Sequence, residues 1–215
     1  MKILLTGASG SLGKNLEIEF ARRNLCCVPV SSQRHGDPKY TKCDLSDLEQ
    51  IKDLKLLIER ENITCLVNNA ALYSDDNISD IEVDDIVGIL SVNLLAPIIL
   101  SKYLYDFLSK TKKPGKIINI NSIAGKAPNY KESVYSASKH GLAGFGASLS
   151  INQKLSGIEV VDFFIGGMQS NITKKRPNFS TLMDPQKVAS FIADIVELNT
   201  GFSPSSIDLR NNCRV

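Results

Sequence analysis

A glycine-rich turn between a short apolar run and an amphipathic helix is the feature that most constrains the fold of this chain. Lys2 to Thr6 is an apolar run of strand length, and Ser11 opens a segment with helical spacing of its apolar residues. Glycines at such a turn let the backbone approach a phosphate closely, and the helix N-terminus offers free N–H groups and a favourable dipole. The turn predicts a dinucleotide site whose expected contacts are Gly7, Ser9, Gly10, Ser11, Leu12 and Gly13.

Strand-like runs and helical segments alternate along the remaining sequence. The predicted strands are 2–6, 26–31, 40–43, 63–68, 116–121, 158–165 and 206–210, and the long predicted helices are 11–24, 82–109 and 133–156. This alternation predicts an α/β fold with a doubly wound parallel sheet (a Rossmann fold) of about seven strands. No linker or repeat divides the chain, so residues 1–215 are expected to form a single domain.

Three local signals refine this pattern. Ser46 followed by Glu49 matches a capping box at a helix start. Asp184 followed by Pro185 matches a helix cap with proline at the first helical position. Pro97, inside predicted helix 82–109, has no N–H to donate to the carbonyl four residues earlier and its ring clashes there, so we expect a kink.

Composition excludes several classes of function. Charged residues make up 22% and hydrophobic residues 43% of the chain, which is typical of a globular protein. The net charge is only +2, so we expect no nucleic-acid partner. We expect no membrane segment, because we find no apolar run of spanning length, and no signal peptide, because the N-terminal apolar run ends at Thr6. The five cysteines form no Cys-x-x-Cys pair and there are two histidines, so we expect no metal and buried, reduced thiols in the cytoplasm.

Polar residues follow the fifth predicted strand and open the helix after it. Ser122 stands at the end of the strand. Tyr135 and Lys139 are four residues apart, which places them one turn apart on the same face of the helix. A free tyrosine has a pKa of about 10, and a neighbouring ammonium favours the phenolate and lowers that value. Tyr135 is therefore the expected general acid or base for a carbonyl or alcohol, and Ser122 the expected donor to the developing oxyanion.

Taken together, these pieces resemble the short-chain dehydrogenase/reductase family over nearly the whole chain. The motifs are the glycine turn, Asp44–Leu45, Asn68–Asn69–Ala70–Ala71, Asn93, Ser122, and Tyr135 with Lys139, in the family's order and at its approximate spacing. The resemblance implies a catalytic tetrad of Asn93, Ser122, Tyr135 and Lys139. It also implies that Asp44 and Leu45 lie against the adenine, that Asn69, Ala70 and Ala71 line the cofactor, and that Lys139 holds the ribose hydroxyls. In the family a water on the carbonyl at the position of Asn93 links the lysine to solvent.

The chain departs from the family at two turns. The family's middle glycine stands one position later, where this chain has Ser11, and its proline–glycine after the sixth strand is Ile165–Gly166 here. Past that turn, Gly166, Met168 and Ser170 take the places that contact the nicotinamide end of the cofactor.

The end of the second strand favours NADP(H) over NAD(H). An NAD site usually presents a carboxylate to the ribose 2′-hydroxyl about 20 residues after the glycines. Here the sequence runs Ser31–Ser32–Gln33–Arg34 with no acid, and Ser32 and Arg34 are suited to a 2′-phosphate.

The segment 171–183 corresponds to a short substrate lid and contains Lys174, Lys175 and Arg176. The expected substrate is a small carbonyl compound or alcohol, and the basic run raises the alternatives of an anionic substrate or a solvated loop. In the family, helices matching 82–109 and 133–156 pair across a two-fold axis, which implies a homodimer or homotetramer.

Two other functions remain open from the sequence. The Gly7, Gly10, Gly13 spacing is nearer that of nucleotide-sugar epimerases, reductases and dehydratases, although the chain is short for a sugar nucleotide. A non-catalytic dinucleotide sensor is the third alternative, but a sensor has no physical need for Tyr135.

Overall fold

A seven-stranded, all-parallel sheet forms the centre of the molecule, and the predicted doubly wound α/β fold is confirmed. The computed structural model describes residues 1–32, 38–127, 130–151, 156–199 and 202–211. The strand order is β3-β2-β1-β4-β5-β6-β7. The strands are β1 (Lys2–Thr6), β2 (Cys26–Ser31), β3 (Thr41–Lys42), β4 (Cys65–Asn68), β5 (Gly115–Ser122), β6 (Ile158–Ile165) and β7 (Ser206–Leu209).

Six α-helices are described on the two faces of the sheet. They are α1 (Ser11–Arg22), α2 (Leu48–Arg60), α3 (Val83–Leu90), α4 (Ala96–Thr111), α5 (Ser133–Ile151) and α6 (Pro185–Glu197). A π-helical turn, Ser91–Leu95, joins α3 to α4, and short 3₁₀ turns occupy Ile123–Gly125, Tyr130–Glu132 and Phe179–Thr181.

Alternate residues of each strand face two separate apolar cores, because side chains of a strand point to opposite faces. One core packs the sheet against α2 and α4 and includes Leu4, Leu66, Ile117, Ile51, Leu54, Leu100 and Leu104. The other packs it against α1 and α6 and includes Ile3, Leu5, Phe163, Leu16, Phe20, Ile192 and Ala193. The sheet is thus covered on both faces, which leaves the ends of its strands as the place for a ligand.

The two capping signals have different outcomes. The Asp184 carboxylate accepts a hydrogen bond from the backbone N–H of Gln186 at 2.8 Å, which confirms the cap of α6. The prediction of a capping box at Ser46 is wrong, since Asp47 caps α2 by accepting from the N–H groups of Glu49 and Gln50. The carboxylate one residue later is the stronger acceptor for the free N–H groups and shifts the helix start.

The predicted long helix 82–109 is interrupted where Pro97 led us to expect a kink. The interruption is the π-helical turn Ser91–Leu95, which contains Asn93. Pro97, in the first turn of α4, has no N–H and cannot donate the regular helical hydrogen bond to the carbonyl of Asn93. The whole stretch Val83–Thr111 is long and apolar enough to cross a membrane by length and composition alone, with 33% of its most apolar window buried. The expectation that no such stretch exists was therefore wrong, although its residues Leu100, Leu104 and Leu108 belong to the core beneath the sheet.

The cysteines also differ in part from expectation. Cys43 and Cys65 are buried, but Cys26 is exposed at the start of β2, and all three are free thiols. Cys213 lies outside the described residues.

A buried lysine on the sheet binds the free carbonyls at the C-terminal end of α6. Lys116 on β5 is 3% exposed, and its ammonium donates to the carbonyls of Ile195, Val196 and Leu198 at 3.0, 3.2 and 2.8 Å. It also lies 3.1 Å from a carboxylate oxygen of Glu159. The last carbonyls of a helix have no partner within the helix, and a cation is favourable there.

Candidate active site

A cleft of about 1000 Å³ opens at the carboxyl ends of β1, β4, β5 and β6. Most of the predicted site residues line it together: Gly7, Gly10, Ser11, Leu12, Gly13, Asn69, Ala71, Ser122, Tyr135, Lys139, Gly166, Met168 and Ser170. The order of the strands brings these residues to one edge although they are spread over more than 160 positions of the chain.

The glycine turn is held in place by the end of β4. Gly7 has a φ of +62°, and a β-carbon there would lie 2.7 Å from the α-carbon of Ala70. The Asn69 side-chain amide donates to the carbonyls of Thr6 and Gly7 at 2.9 and 3.0 Å. The Thr6 hydroxyl accepts from the backbone N–H groups of Asn69 and Ala70. Asn69 therefore fixes the backbone of the turn, a role that the sequence alone did not indicate.

Gly13 fits the first turn of α1 only without a side chain. A β-carbon at Gly13 would lie 2.3 Å from the Gly7 carbonyl oxygen and 2.7 Å from the Ala8 α-carbon, whereas at Gly10 its nearest contact would be 3.3 Å. We expect Gly13→Ala to lower the free energy of unfolding by about 2 kcal/mol because the backbone must move. Gly10→Ala, the matched control, is expected to cost less than about 1 kcal/mol. Urea denaturation of both variants checks this, and equal losses would contradict the packing argument.

Five predicted cofactor contacts do not line the described cleft: Ser9, Ser32, Asp44, Leu45 and Ala70. Ser9 accepts a hydrogen bond from the Ser31 hydroxyl at 2.8 Å, so it lies beside the end of β2. Asp44 is exposed, and its carboxylate accepts from the backbone and hydroxyl of Ser46. Leu45 is buried in the core, and Arg34 lies outside the described residues. Their contacts with a cofactor stay predictions.

Tyr135 faces the cleft from the first turn of α5. Burial raises the pKa of its phenol to about 12, and the neighbouring Ser122 side chain opposes part of that rise. The expected lowering of this pKa by Lys139 is therefore wrong for the protein alone, because loss of hydration of the phenolate outweighs the neighbouring charges. The phenol is protonated near neutral pH and can donate a proton.

Lys139 lies one turn below Tyr135 and is almost completely buried. Its ammonium donates to the Ile120 carbonyl at 3.0 Å and lies 5.7 Å from the centre of the Tyr135 ring. Burial lowers the pKa of Lys139 to about 8, while Asp162 acts in the opposite direction. The Lys139 carbonyl in turn accepts from the Asn121 side chain at 3.2 Å, which ties α5 to the end of β5.

Asn93 is buried in the π-helical turn, and both the oxygen and the nitrogen of its side-chain amide form hydrogen bonds within the protein. Its amide oxygen accepts from the N–H of Leu72, and its amide nitrogen donates to the Leu72 carbonyl, both at 2.8 Å. It also donates to the Ser138 hydroxyl at 3.1 Å. The side chain thus joins the loop after β4 to α5. A water on the backbone carbonyl of Asn93 stays a prediction.

Three side chains at the mouth of the cleft were not singled out as a group from the sequence. The Tyr73 hydroxyl donates to Glu132 at 2.9 Å, and the Tyr73 ring packs edge-on against Tyr135 with centroids 5.1 Å apart. Arg176 lies 3.6 Å from the same Glu132 carboxylate. In the sequence, Glu132 stands three residues before Tyr135 and Arg176 lies in the basic run of the predicted lid, but neither position predicted the contact between them.

The predicted lid segment 171–183 covers one side of the cleft. Ile172, Thr173 and Arg176 line the cleft, whereas Lys174 and Lys175 are exposed and do not. The segment is fastened at its start, where the N–H of Asn171 donates to the Ser11 hydroxyl at 3.4 Å. Of the three basic residues, Arg176 alone is placed to meet a substrate in the cleft.

Comparisons with known proteins agree with this geometry. A family profile described as short chain dehydrogenase matches residues 1–180. A 3-oxoacyl-(acyl-carrier-protein) reductase of Buchnera aphidicola is 30% identical over 183 residues, 80% of this chain and 75% of that protein. An NADP-dependent 3-hydroxy acid dehydrogenase of Schizosaccharomyces pombe is 31% identical over 166 residues, 68% of this chain and 63% of that protein. A solved 4-hydroxyisoleucine dehydrogenase complexed with NADH superposes with a TM-score of 0.86 at 23% identity, covering 98% of this chain and 97% of that one.

Proposed function

The chain belongs to the short-chain dehydrogenase/reductase family, and from that premise we propose that it interconverts a carbonyl compound and its alcohol with NADP(H), Tyr135 being the proton donor and acceptor. It is an oxidoreductase acting on CH–OH groups with a nicotinamide dinucleotide. The observation that carries the finer proposal is that Ser122, Tyr135 and Lys139 line one cleft, with the Lys139 ammonium 5.7 Å from the centre of the Tyr135 ring.

The residues of the glycine turn fit a dinucleotide. The left-handed Gly7 and the close packing of Gly13 hold the turn against the N-terminus of α1, and Gly10, Ser11 and Leu12 at that N-terminus line the cleft. Such an N-terminus binds a pyrophosphate through its N–H groups and its dipole. When bound, the nicotinamide supplies or accepts the hydride at the substrate carbon.

The protein side of the reaction is proton transfer and charge stabilisation. In the direction of reduction, the protonated Tyr135 phenol donates to the oxygen of the substrate while the Ser122 hydroxyl donates a hydrogen bond to the same oxygen. The Lys139 ammonium stabilises the phenolate that remains on Tyr135. In the direction of oxidation, the Tyr135 phenolate accepts the proton of the alcohol. Because the pKa of the phenol is high, this phenolate forms more readily at alkaline pH, and oxidation is expected to be faster there.

The preference for NADP(H) rests on the end of β2. The residues there, Ser31 and Ser32, carry hydroxyls and no carboxylate that could bind a ribose 2′-hydroxyl. One relative is named as NADP-dependent, whereas a structural neighbour is complexed with NADH. The two have a nicotinamide dinucleotide in common but differ in the 2′-phosphate.

A panel of small ketones and oxo acids, assayed with NADPH and with NADH by nicotinamide absorbance, tests the function and the cofactor preference together. We expect turnover of at least one carbonyl compound and a higher kcat/KM with NADPH. Preference for NADH would reject the cofactor proposal, and no turnover of any carbonyl or alcohol would reject the proposed reaction.

We also propose an anionic substrate, because Arg176 lines the cleft beside Glu132 with 43% of its side chain exposed. Arg176→Gln is expected to lower kcat/KM for a carboxylate-bearing substrate about tenfold, the effect of one charged hydrogen bond. The value for a neutral ketone is expected to stay the same. Lys174→Gln, an exposed neighbour outside the cleft, is the matched control, and equal losses for acidic and neutral substrates in Arg176→Gln would contradict the proposal.

The proposed assembly is a homodimer or homotetramer. Val83, Val87, Leu90 and Leu95, along α3 and the π-helical turn, are between 36% and 70% exposed, and association would remove these apolar surfaces from water. Sedimentation of the protein at micromolar concentration distinguishes these assemblies from a monomer.

A further inference from the structure

A row of buried polar side chains crosses the middle of the sheet beneath α5. Asn68, Asn119 and Asp162 are paired in register on β4, β5 and β6, and all three are at most 4% exposed. The Asn68 amide donates to the Asn119 amide oxygen at 2.9 Å. Because their strand neighbours Leu66 and Val160 belong to the core on this face, the row lies between the sheet and the helix that carries Tyr135 and Lys139.

The carboxyl group of Asp162 occupies space that α5 leaves open for it. A β-carbon on Gly146 of that helix would lie 2.0 Å from one carboxyl oxygen of Asp162, so this position tolerates no side chain while the carboxyl group is there. The other oxygen of Asp162 and the amide nitrogen of Asn119 are both buried without a partner at hydrogen-bonding geometry, although the neighbouring Asn119 side chain lowers the pKa of Asp162. A buried carboxyl group without a close ion pair is costly, so it must be supported by charges at longer range.

Besides the Asn119 side chain, two ammonium groups favour the charged form of Asp162, those of Lys126 and Lys139. Lys126, from the turn after β5, already binds Asp208 of β7 and lies 3.8 Å over the ring of Phe164. Lys139, from α5, has the Ile120 carbonyl as its hydrogen-bond acceptor. Ile120 directly follows Asn119, the strand partner of Asp162, so the Lys139 ammonium lies next to the row of buried polar side chains. Among the described residues, Asp162 is the acid whose charge favours the ammonium form of Lys139. The phenol of Tyr135 is on the same helix, and the acids of α3, Asp84 and Asp85, are exposed.

We propose that Asp162 is a positioning residue for proton transfer, whose buried carboxylate keeps Lys139 in its charged form next to Tyr135. This inference rests on the proposed function, since it concerns the same tyrosine and lysine. Lys139 sits in a buried site that favours the neutral amine, and a carboxylate enclosed between β6 and α5 opposes that tendency by attraction through a medium of low polarity. Gly146 preserves the space that this arrangement requires.

The proposal fixes the direction of the pH effect. Burial raises the pKa of Asp162 to about 6, and the pKa of Lys139 is about 8, so both groups are charged together between these values. Removing the carboxylate lowers the pKa of Lys139, so that the ammonium is lost at lower pH. The alkaline limb of the activity profile for reduction, where Lys139 loses its proton, then moves to lower pH.

The first measurement follows Lys139 itself in the protein without dinucleotide. With ¹³C-labelled lysine ε-carbons, the Lys139 resonance is assigned by its loss in Lys139→Arg and titrated by NMR. We expect Asp162→Asn to lower the midpoint by on the order of one pH unit, as expected for loss of a nearby opposite charge. Asp162→Ala removes the same charge without burying an amide and is expected to give the same direction. An unchanged midpoint in both variants would overturn the proposal.

The matched control is Glu159→Gln on the same strand. Glu159 is three residues away and pairs with Lys116 at the opposite end of the sheet, so its loss is expected to leave the Lys139 midpoint unchanged. An equal shift in Glu159→Gln would also overturn the proposal, because it would show a general effect of net charge. The kcat/KM profile of Asp162→Asn for carbonyl reduction is expected to show the same displacement. The NMR titration needs no turnover, so failure of the proposed function and failure of this inference are separate outcomes.

Discussion

Replacing Tyr135 by phenylalanine is expected to lower kcat for carbonyl reduction by about 10³-fold, the usual contribution of a positioned general acid. The ring and its packing against Tyr73 remain, so the loss reports the hydroxyl that contacts Ser122. The dissociation constant for NADPH is expected to change less than about threefold, because the glycine turn and α1 supply the main contacts with the pyrophosphate. Steady-state rates and fluorescence titration with NADPH measure the two quantities on the same protein.

Tyr73→Phe is the matched control for this experiment. Tyr73 lies against Tyr135 and gives its hydroxyl to Glu132, so its replacement disturbs the same surroundings without removing the proton donor. A loss of less than about tenfold is expected, since no developing charge depends on this hydroxyl. If Tyr135→Phe kept full turnover, another group would have to be the acid. A biological output that survives loss of turnover would instead favour a dinucleotide sensor.

Replacing Lys116 by methionine is expected to lower the free energy of unfolding by about 3 kcal/mol, because three carbonyls at the end of α6 and the Glu159 carboxylate lose their shared partner. Methionine keeps most of the apolar stem, so the change isolates the ammonium. Urea denaturation followed by circular dichroism measures the loss, and an unchanged slope shows that the unfolded state is comparable.

Lys102→Met makes the same substitution at an exposed position. Lys102 pairs with Asp106 on the surface of α4 at 2.6 Å, and such pairs contribute little in water. A cost within about 0.5 kcal/mol is expected there. Similar losses for Lys116→Met and Lys102→Met would show that the carbonyls of α6 are satisfied without the lysine.

Much of the fold was predictable because its signals are local. The strands β1, β2 and β6 begin and end where the apolar runs do, and Asp184 and Pro185 mark the start of α6. The helix start near Ser46 was not resolved because Asp47, Ser46 and Glu49 are all capping residues within four positions, and only the backbone geometry chooses among them.

The site was predictable as a set of residues at strand ends but not as a set of contacts. Parallel strands bring Asn69, Ser122 and Gly166 to one edge, which follows from topology alone. The pKa of Tyr135 could not be read from its spacing to Lys139, since the sign depends on how much water the phenolate loses. Asp162, a charged residue flanked by apolar neighbours in β6, was visible in the sequence, but its role depends on packing against α5 that the sequence does not show.

The hydrogen bonds from Asn69 to the glycine turn have a thermodynamic consequence. The carbonyls of Thr6 and Gly7 are held by the Asn69 amide from the side of β4 in the protein without ligand. The backbone that receives the pyrophosphate is thus already ordered, and binding need not restrict it further. Calorimetry of dinucleotide binding should therefore show a more unfavourable entropy in Asn69→Ala than in the natural chain, because the variant must order its turn during binding.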